Sequence, residues 1–249
     1  MICAIDIGNS TIGFAFLKDG KVERVVKIEN ESKSELVRTK LANFLESSAE
    51  RYSIKKVVVC SVVPDTLKSL SRKIQRAWGL KPLVVGRGVE LPIVNKYHSP
   101  RQVGKDRLLC AFAARELYGA PAIIIDLGTA ITFDGLSAKG EYLGGAIVPG
   151  LRLSAEALFE KTALLPRVHI AEPKKVIGRS TEESIQSGLF NGYGALCDGM
   201  VARLAEEMDC RPKVVMTGGY AEVMSRFMKH SVAAVDEQLI YKGMALLTG

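Results

Sequence analysis

The sequence predicts an α/β protein of two duplicated lobes, each a mixed β-sheet flanked by helices, and three observations predict it. The chain opens with short apolar runs separated by turn residues, then alternates helical and strand periodicity. A shift of 120 residues lays Asp6 on Asp126, Gly8 on Gly128 and the turn glycine Gly20 on Gly140. A second echo sets Lys56-Val57-Val58-Val59 against Lys213-Val214-Val215-Met216, each run ending in small residues. Short apolar strands resemble one another by chance, but two echoes in the same order mark a repeated unit, with lobes over 1–118 and 119–249.

In chain order, Ile2 to Ile7 reads as a buried strand, and the Asp6 to Thr11 turn leads into a second apolar run, Ile12 to Leu17. Asp19-Gly20 supplies hairpin chemistry, returning the chain as a strand from Lys21 to Ile28. Leu36, Leu41, Phe44, Leu45, Ala49 and Tyr52 then recur at helical spacing, with Ser32 and Glu35 as a capping box. A strand at Val57 to Cys60, a helix at Thr66 to Trp78, a strand at Pro82 to Val85 and a helix at about Lys105 to Leu117 complete the first half. The second half begins with a buried strand, Ala122 to Leu127. Helices follow at Leu151 to Lys161, from Ser180, paired with Glu183, to about Met208, at Tyr220 to Lys229, and at Asp236 to Leu247. Gly188, Gly192, Gly194 and Gly199 each cost roughly 1 kcal/mol against Ala in an exposed helix. Either close packing, as at a dimer interface, or two shorter helices accounts for them.

Composition narrows the function classes. A chain of 249 residues with 47% hydrophobic content buries a real core. No apolar stretch approaches the roughly 18 residues of a membrane span, and Met1 to Asp6 carries no basic leader, so a cytoplasmic protein without membrane insertion is expected. Five scattered cysteines without CxxC spacing give neither a disulfide framework nor a zinc site. The net charge of +7 is spread among acidic residues without a nucleic-acid-binding signature; most of it reads as solvated surface, and no nucleic-acid partner is expected. His98, His169 and His230 show no metal spacing, and Trp78 reads as core.

A Walker A motif and the protein-kinase motif set are both absent. Each half instead offers an Asp at a strand end followed by Gly and hydroxyl or amide residues: Asp6, Gly8, Asn9, Ser10 and Thr11, then Asp126, Gly128, Thr129 and Thr132. Glycine permits close backbone approach, hydroxyls donate to phosphate oxygens, and a carboxylate holds a cation or its waters against them. One such turn is usually only a hairpin. Its duplication, with Gly218-Gly219 placed to pack on an adenine, points to a polyphosphate site.

These loops resemble those of the actin, Hsp70 and sugar-kinase superfold, and the details resemble type III pantothenate kinase over essentially the whole chain. The resemblance rests on Asp6-x-Gly8-Asn9, Tyr97-x-x-Pro100 with Gly104-x-Asp106-Arg107, Asp126-x-Gly128-Thr129-Ala130-x-Thr132-Phe133-Asp134, Gly144-Gly145-x-Ile147-x-Pro149-Gly150 and Gly178-x-Ser180-Thr181. It implies two actin-like, ribonuclease H-like lobes and phosphorylation of pantothenate by ATP, the first step of coenzyme A biosynthesis. Asp106 would be the catalytic base. Asp6, Ile7, Gly8, Asn9, Ser10, Thr11, Ile12 and Gly13, with Thr129, would bind ATP, whereas Tyr97, Gly104, Lys105, Asp106, Arg107 and Thr181 would bind pantothenate. Asp126 would hold a monovalent cation, potassium or ammonium, magnesium would arrive with the nucleotide, and the protein would form a homodimer. Ser10 replaces a frequent Thr and keeps the hydroxyl. Lys105 occupies a variable position, where it either lowers the pKa of Asp106 or contacts the substrate anion. The rivals are another small-molecule kinase of the superfold and a regulatory protein like the Bvg accessory factors.

Overall fold

The computed structural model describes residues 1–30 and 34–248, so Ser32 of the expected capping box lies outside the described residues. The chain divides into two compact units, one of Met1–Ile93, Ser99–Ala113 and Gln238–Gly249, the other of Val94–His98 and Ala114–Glu237.

In the first unit, β1 (Ile2–Ile7), β2 (Thr11–Lys18), β3 (Lys21–Glu29), β4 (Lys56–Ser61) and β5 (Leu83–Val84) form a sheet in the order β3-β2-β1-β4-β5. The β1–β2–β3 meander is antiparallel, while β4 and β5 join it in parallel. Side chains of a strand alternate between faces, and here both faces are covered, which explains why β1 and β4 read as unbroken apolar runs. Cys3, Ile5, Phe14, Phe16, Val57 and Val59 pack with Leu41 and Leu45 of α1 (Glu35–Arg51) and Leu70 and Ile74 of α2 (Pro64–Trp78). Ala4, Ala15, Val58 and Cys60 pack with Leu109 and Phe112 of α3 (Lys105–Tyr118) and Tyr241 and Met244 from the C-terminal segment. Ser34 caps α1, accepting from Val37 N–H at 3.4 Å. Helix α2 has Pro64 in its first turn and ends at Gly79 in the left-handed conformation (φ 67°), the usual asymmetry of helix ends. Trp78 closes the core and donates from Nε1 to Leu45 O at 2.8 Å.

The second unit repeats this topology. Its strands, β6 (Ala122–Leu127), β7 (Ala130–Leu136), β8 (Tyr142–Pro149), β9 (Lys213–Thr217) and β10 (Ala234–Val235), run in the order β10-β9-β6-β7-β8. Strand β6 takes the place of β1, and β9 that of β4, so both echoes in the sequence correspond to equivalent strands. Flanking helices are α4 (Leu151–Lys161), α5 (Thr181–Ser187), α6 (Tyr193–Glu207) and α7 (Ala221–Ser225). Ile123, Ile125, Leu127 and Phe133 pack with Leu189, Phe190, Cys197 and Val201 in its core.

Three helices differ from expectation. The run from Ser180 is interrupted by a π turn over Gly188–Gly192, where Asn191 Nδ2 reaches back to Ser187 Oγ at 3.2 Å. Of the four glycines, Gly194 packs against the Phe227 backbone, while nothing stands within 4 Å of a Cβ at Gly188, Gly192 or Gly199. Helix α7 ends at Ser225, and the Asp198 carboxylate accepts the backbone N–H groups of Lys229 and His230, holding the chain beyond it in a non-helical path. The final helix, α8, spans Leu239–Leu246 because Asp236 N–H bonds Met216 O at 2.8 Å in continuation of the strand.

Candidate active site

Strand pairing dictates the first loop. Ile7 pairs with Ile12, leaving residues 8 to 11 to turn, and Gly8 N–H donates to Thr11 O at 2.9 Å. The side chains of Asn9, Ser10 and Thr11 are exposed on this turn. Asn30, beyond β3, braces it: its Nδ2 donates to Gly8 O at 2.7 Å and its N–H to Ser10 O at 2.9 Å, while Oδ1 accepts from Thr66 Oγ1 of α2 at 3.2 Å. Asp6 lies opposite Gly13 on β2 and Cys60 on β4. Tyr241 of α8 places its hydroxyl where a side chain at Gly13 would stand. Burial, then the charge of Asp6, then Cys3 push the Tyr241 pKa well up, so this hydroxyl stays protonated.

Gly104, Lys105, Asp106 and Arg107 open α3, where a carboxylate is favoured by the helix dipole. Asp106 Oδ1 accepts from Arg107 N–H at 2.9 Å and folds against Gly104, in space that any larger residue would need. Lys105 lays its stem across Gly86, whose φ of +79° requires glycine; a Cβ there would stand 2.9 Å from Lys105 Cε. The buried Cys60 thiol registers the grouping: burial first, then the charges of Asp6 and Asp106, raise its pKa, and Lys105 opposes them. Asp6 and the distant pair Lys105 and Asp106 thus act on one point at the end of β4.

The second unit builds the other loop. Leu127 pairs with Ile131, and Gly128 N–H closes the turn on Ala130 O at 3.1 Å. Gly150 donates its N–H to Thr129 O at 3.0 Å and packs so closely on this loop that a Cβ would collide with the Gly128 and Thr129 carbonyls. Gly218 (φ +91°) presses on Asp126, with 2.5 Å between its would-be Cβ and Oδ1. Tyr97 sits over Gly144, 3.3 Å from the Cβ position, its N–H held by Asn95 Oδ1 at 3.0 Å. Behind it the buried Asp134 accepts from Tyr142 Oη at 2.7 Å and Thr132 Oγ1 at 3.0 Å. Thr181 is exposed at the start of α5, after Ser180 Oγ has capped Glu183 N–H at 3.2 Å. It lines a depression of about 680 Å³ with Ser154, Leu158, Thr162, Ile185 and Tyr193.

The first unit therefore gathers residues 6 to 13 with Gly104, Lys105, Asp106 and Arg107, and the second holds Tyr97, Asp126, Thr129 and Thr181. Sequence reasoning missed Asn30 and Tyr241. Neither belongs to a motif; Asn30 looks like an ordinary strand end and Tyr241 like a helical core residue.

Residues 2–203 match the family model described as Type III pantothenate kinase. A Persephonella marina protein named type III pantothenate kinase is 43% identical over 229 residues, 91% of this chain and 90% of its own length. A namesake from Halalkalibacterium halodurans is 35% identical over 250 residues, 99% and 98% of the two chains. Among solved structures, a ROK family glucokinase from Streptomyces griseus, in complex with glucose and AMPPNP, superposes with a TM-score of 0.53 at 13% identity, covering 99% of this chain and 98% of that one. That likeness shows the shared sugar-kinase fold.

Proposed function

This chain belongs to the type III pantothenate kinase family, and we propose that it transfers the γ-phosphoryl group of ATP to the primary hydroxyl of pantothenate, with Asp106 as the base. The observation carrying the residue assignment is the convergence of Asp6 and Asp106 on Cys60, beside a turn that exposes Asn9, Ser10 and Thr11. The hydroxyl oxygen attacks phosphorus, its proton passes to Asp106, and the bond to the β-phosphate oxygen breaks, leaving ADP and 4'-phosphopantothenate. Phosphoryl transfer has a loose transition state, so Asp106 acts chiefly by orienting the acceptor and needs no raised pKa.

Residues 6 to 13 and Thr129 receive the phosphates, with the Gly8 N–H committed inside its own turn. Open space beside Gly219, where nothing stands within 4 Å of a Cβ, leaves room for an adenine. Arg107 suits the pantothenate carboxylate because a guanidinium meets a carboxylate in two parallel contacts. In the first unit Gly104 and Lys105 line the acceptor pocket, and Tyr97 and Thr181 of the second unit are assigned to the same substrate.

Hard oxygen donors fit a cation at each strand end: Asp6 suits the magnesium that accompanies ATP, and Asp126, pressed by the side-chain-free Gly218, suits potassium or ammonium. When bound, these ions neutralise phosphate charge. Exposed Leu164, Val176 and Ile177 (90%, 69% and 79% accessible) and the open faces of Gly188 and Gly192 support a homodimer formed through the second unit. No helix among the described residues is long and apolar enough to cross a membrane, and membership of a metabolic kinase family supports a cytoplasmic location.

The test is ADP release by the purified protein with magnesium and ATP, with and without pantothenate, in potassium and then sodium buffer. Release requiring both pantothenate and potassium is expected. Turnover indifferent to pantothenate would instead make this another kinase or hydrolase of the superfold.

A further inference from the structure

A cavity of about 570 Å³ lies wholly within the first unit, between the N-terminal half of α2 and the turn after β5. Its lining carries Lys68, Arg87 and Lys105 against a single acid, Asp65. Three positive charges less one negative leave a net charge of +2. Among the described residues, Lys68, Arg87 and Lys105 enter no ion pair. The two hydroxyls in the lining are committed elsewhere, Ser61 Oγ to the Val63 backbone and Ser71 Oγ to Leu67 O at 2.7 Å, so the cations supply the recognition chemistry.

Convergent like charges in excess of their counterions destabilise a fold unless something else uses them, and a cleft with a net excess of one sign of charge concentrates the opposite ion. Gly86 makes the arrangement possible, since its left-handed backbone leaves the space that the Lys105 stem fills. A second depression, of about 390 Å³, shares Asp65 and Lys68 and adds Arg72, Lys73 and Arg76, extending the positive field along α2.

We infer that this cavity is an anion subsite for a phosphate dianion, free or as a monoester. Charge selects the class: a monoester carries about −1.5 to −2 at neutral pH, matching the net +2, and Arg87 can meet two of its oxygens at once. Lys105 precedes Asp106 in α3, so an anion held here sits beside the acceptor pocket and competes with the entry of pantothenate. The consequence for catalysis rests on the function proposed above; the binding itself does not. Two sources share the chemistry, the monoester product of the reaction and free orthophosphate.

The experiment is calorimetric titration of the full-length protein in phosphate-free buffer with inorganic phosphate, and separately with 4'-phosphopantothenate, alongside pantothenate-dependent ADP release. Arg87 and Lys68 are exposed, so their replacement spares the core. In the Lys68→Ala/Arg87→Ala double variant both anions should bind at least tenfold more weakly, while kcat and the ATP KM stay within about twofold of wild type. Inhibition by added phosphate, competitive with pantothenate in wild type, should fall in parallel. Arg87→Lys, which keeps the charge and loses the fork, should show intermediate affinity. Binding of orthophosphate alone would identify the free ion as the occupant, and binding of the monoester alone would identify the product. Absence of binding to wild type up to 10-millimolar order, or equal affinity in the double variant, overturns the proposal. Arg87-dependent phosphate binding in a protein without pantothenate-dependent turnover would uphold the subsite and overturn the kinase assignment instead.

Discussion

Asp106 accepts a hydrogen bond from the N–H of its own neighbour, so the helix that carries it also fixes its rotamer. Asparagine can accept the same bond through its carbonyl oxygen but cannot take a proton. Asp106→Asn should therefore keep the fold and ATP binding while kcat falls by about 10²- to 10⁴-fold; a near-normal rate would remove Asp106 from the role of base. Asp126 is held just as closely, by Gly218 on the neighbouring strand end. Asp126→Ala should abolish or greatly weaken activation by potassium, measured as the ratio of ADP-release rates in potassium and sodium; unchanged activation would place the cation elsewhere. Asp126 stands out in the sequence because a carboxylate followed two residues later by glycine repeats the pattern of Asp6 and Gly8, whereas Asp106 enters only through the resemblance carried by Gly104-x-Asp106-Arg107.

At the scale of elements, the first loop owes its shape to a residue outside it. Asn30→Ala deletes the contacts to Gly8 O and Thr66 Oγ1 but spares the backbone bond to Ser10 O. At about 0.5–1.5 kcal/mol for each, the loss should be roughly 1–3 kcal/mol of stability by urea titration, with the ATP KM rising more than kcat falls. An unchanged KM would show that the loop keeps its shape without this brace. Nothing near Asn30 in the sequence announces that role, because both partners are set by how β3 and α2 pack rather than by local spacing. The repeated strands were readable for the opposite reason: alternation, turn glycines and buried runs are local, and the offset between Asp6 and Asp126 repeats them. Helix lengths after residue 180 were less so. The π turn depends on one residue's worth of extra winding that periodicity blurs, and α7 stops where a carboxylate on another helix captures the chain.

For the molecule as a whole, buried acidic protons set an alkaline limit. Tyr118 donates to the buried Asp236 at 2.8 Å, and its pKa is pushed up to about 12 by burial, then by that hydrogen bond and by the carboxylate's charge. Between the ordinary tyrosine value and the raised one, the unfolded chain has lost a proton that the folded chain retains, so stability falls as pH rises. The contribution is full below about pH 10 and lost as pH passes through about 12. Tyr118→Phe should flatten that decline in denaturation midpoints measured from pH 9 to 12, with Cys3, Cys60, Cys197 and Tyr241, also raised by burial, supplying the slope that remains. The path of the backbone has a further consequence. Gln238–Gly249 belongs with the first unit, where Tyr241 backs Gly13 and Lys56 Nζ binds Thr248 O at 3.0 Å. A ribosome adding roughly 5–20 residues per second releases the whole second unit before that segment emerges. During synthesis the domain begun first is finished last, and β1, with the phosphate loop it carries, waits for α8 to cover one face.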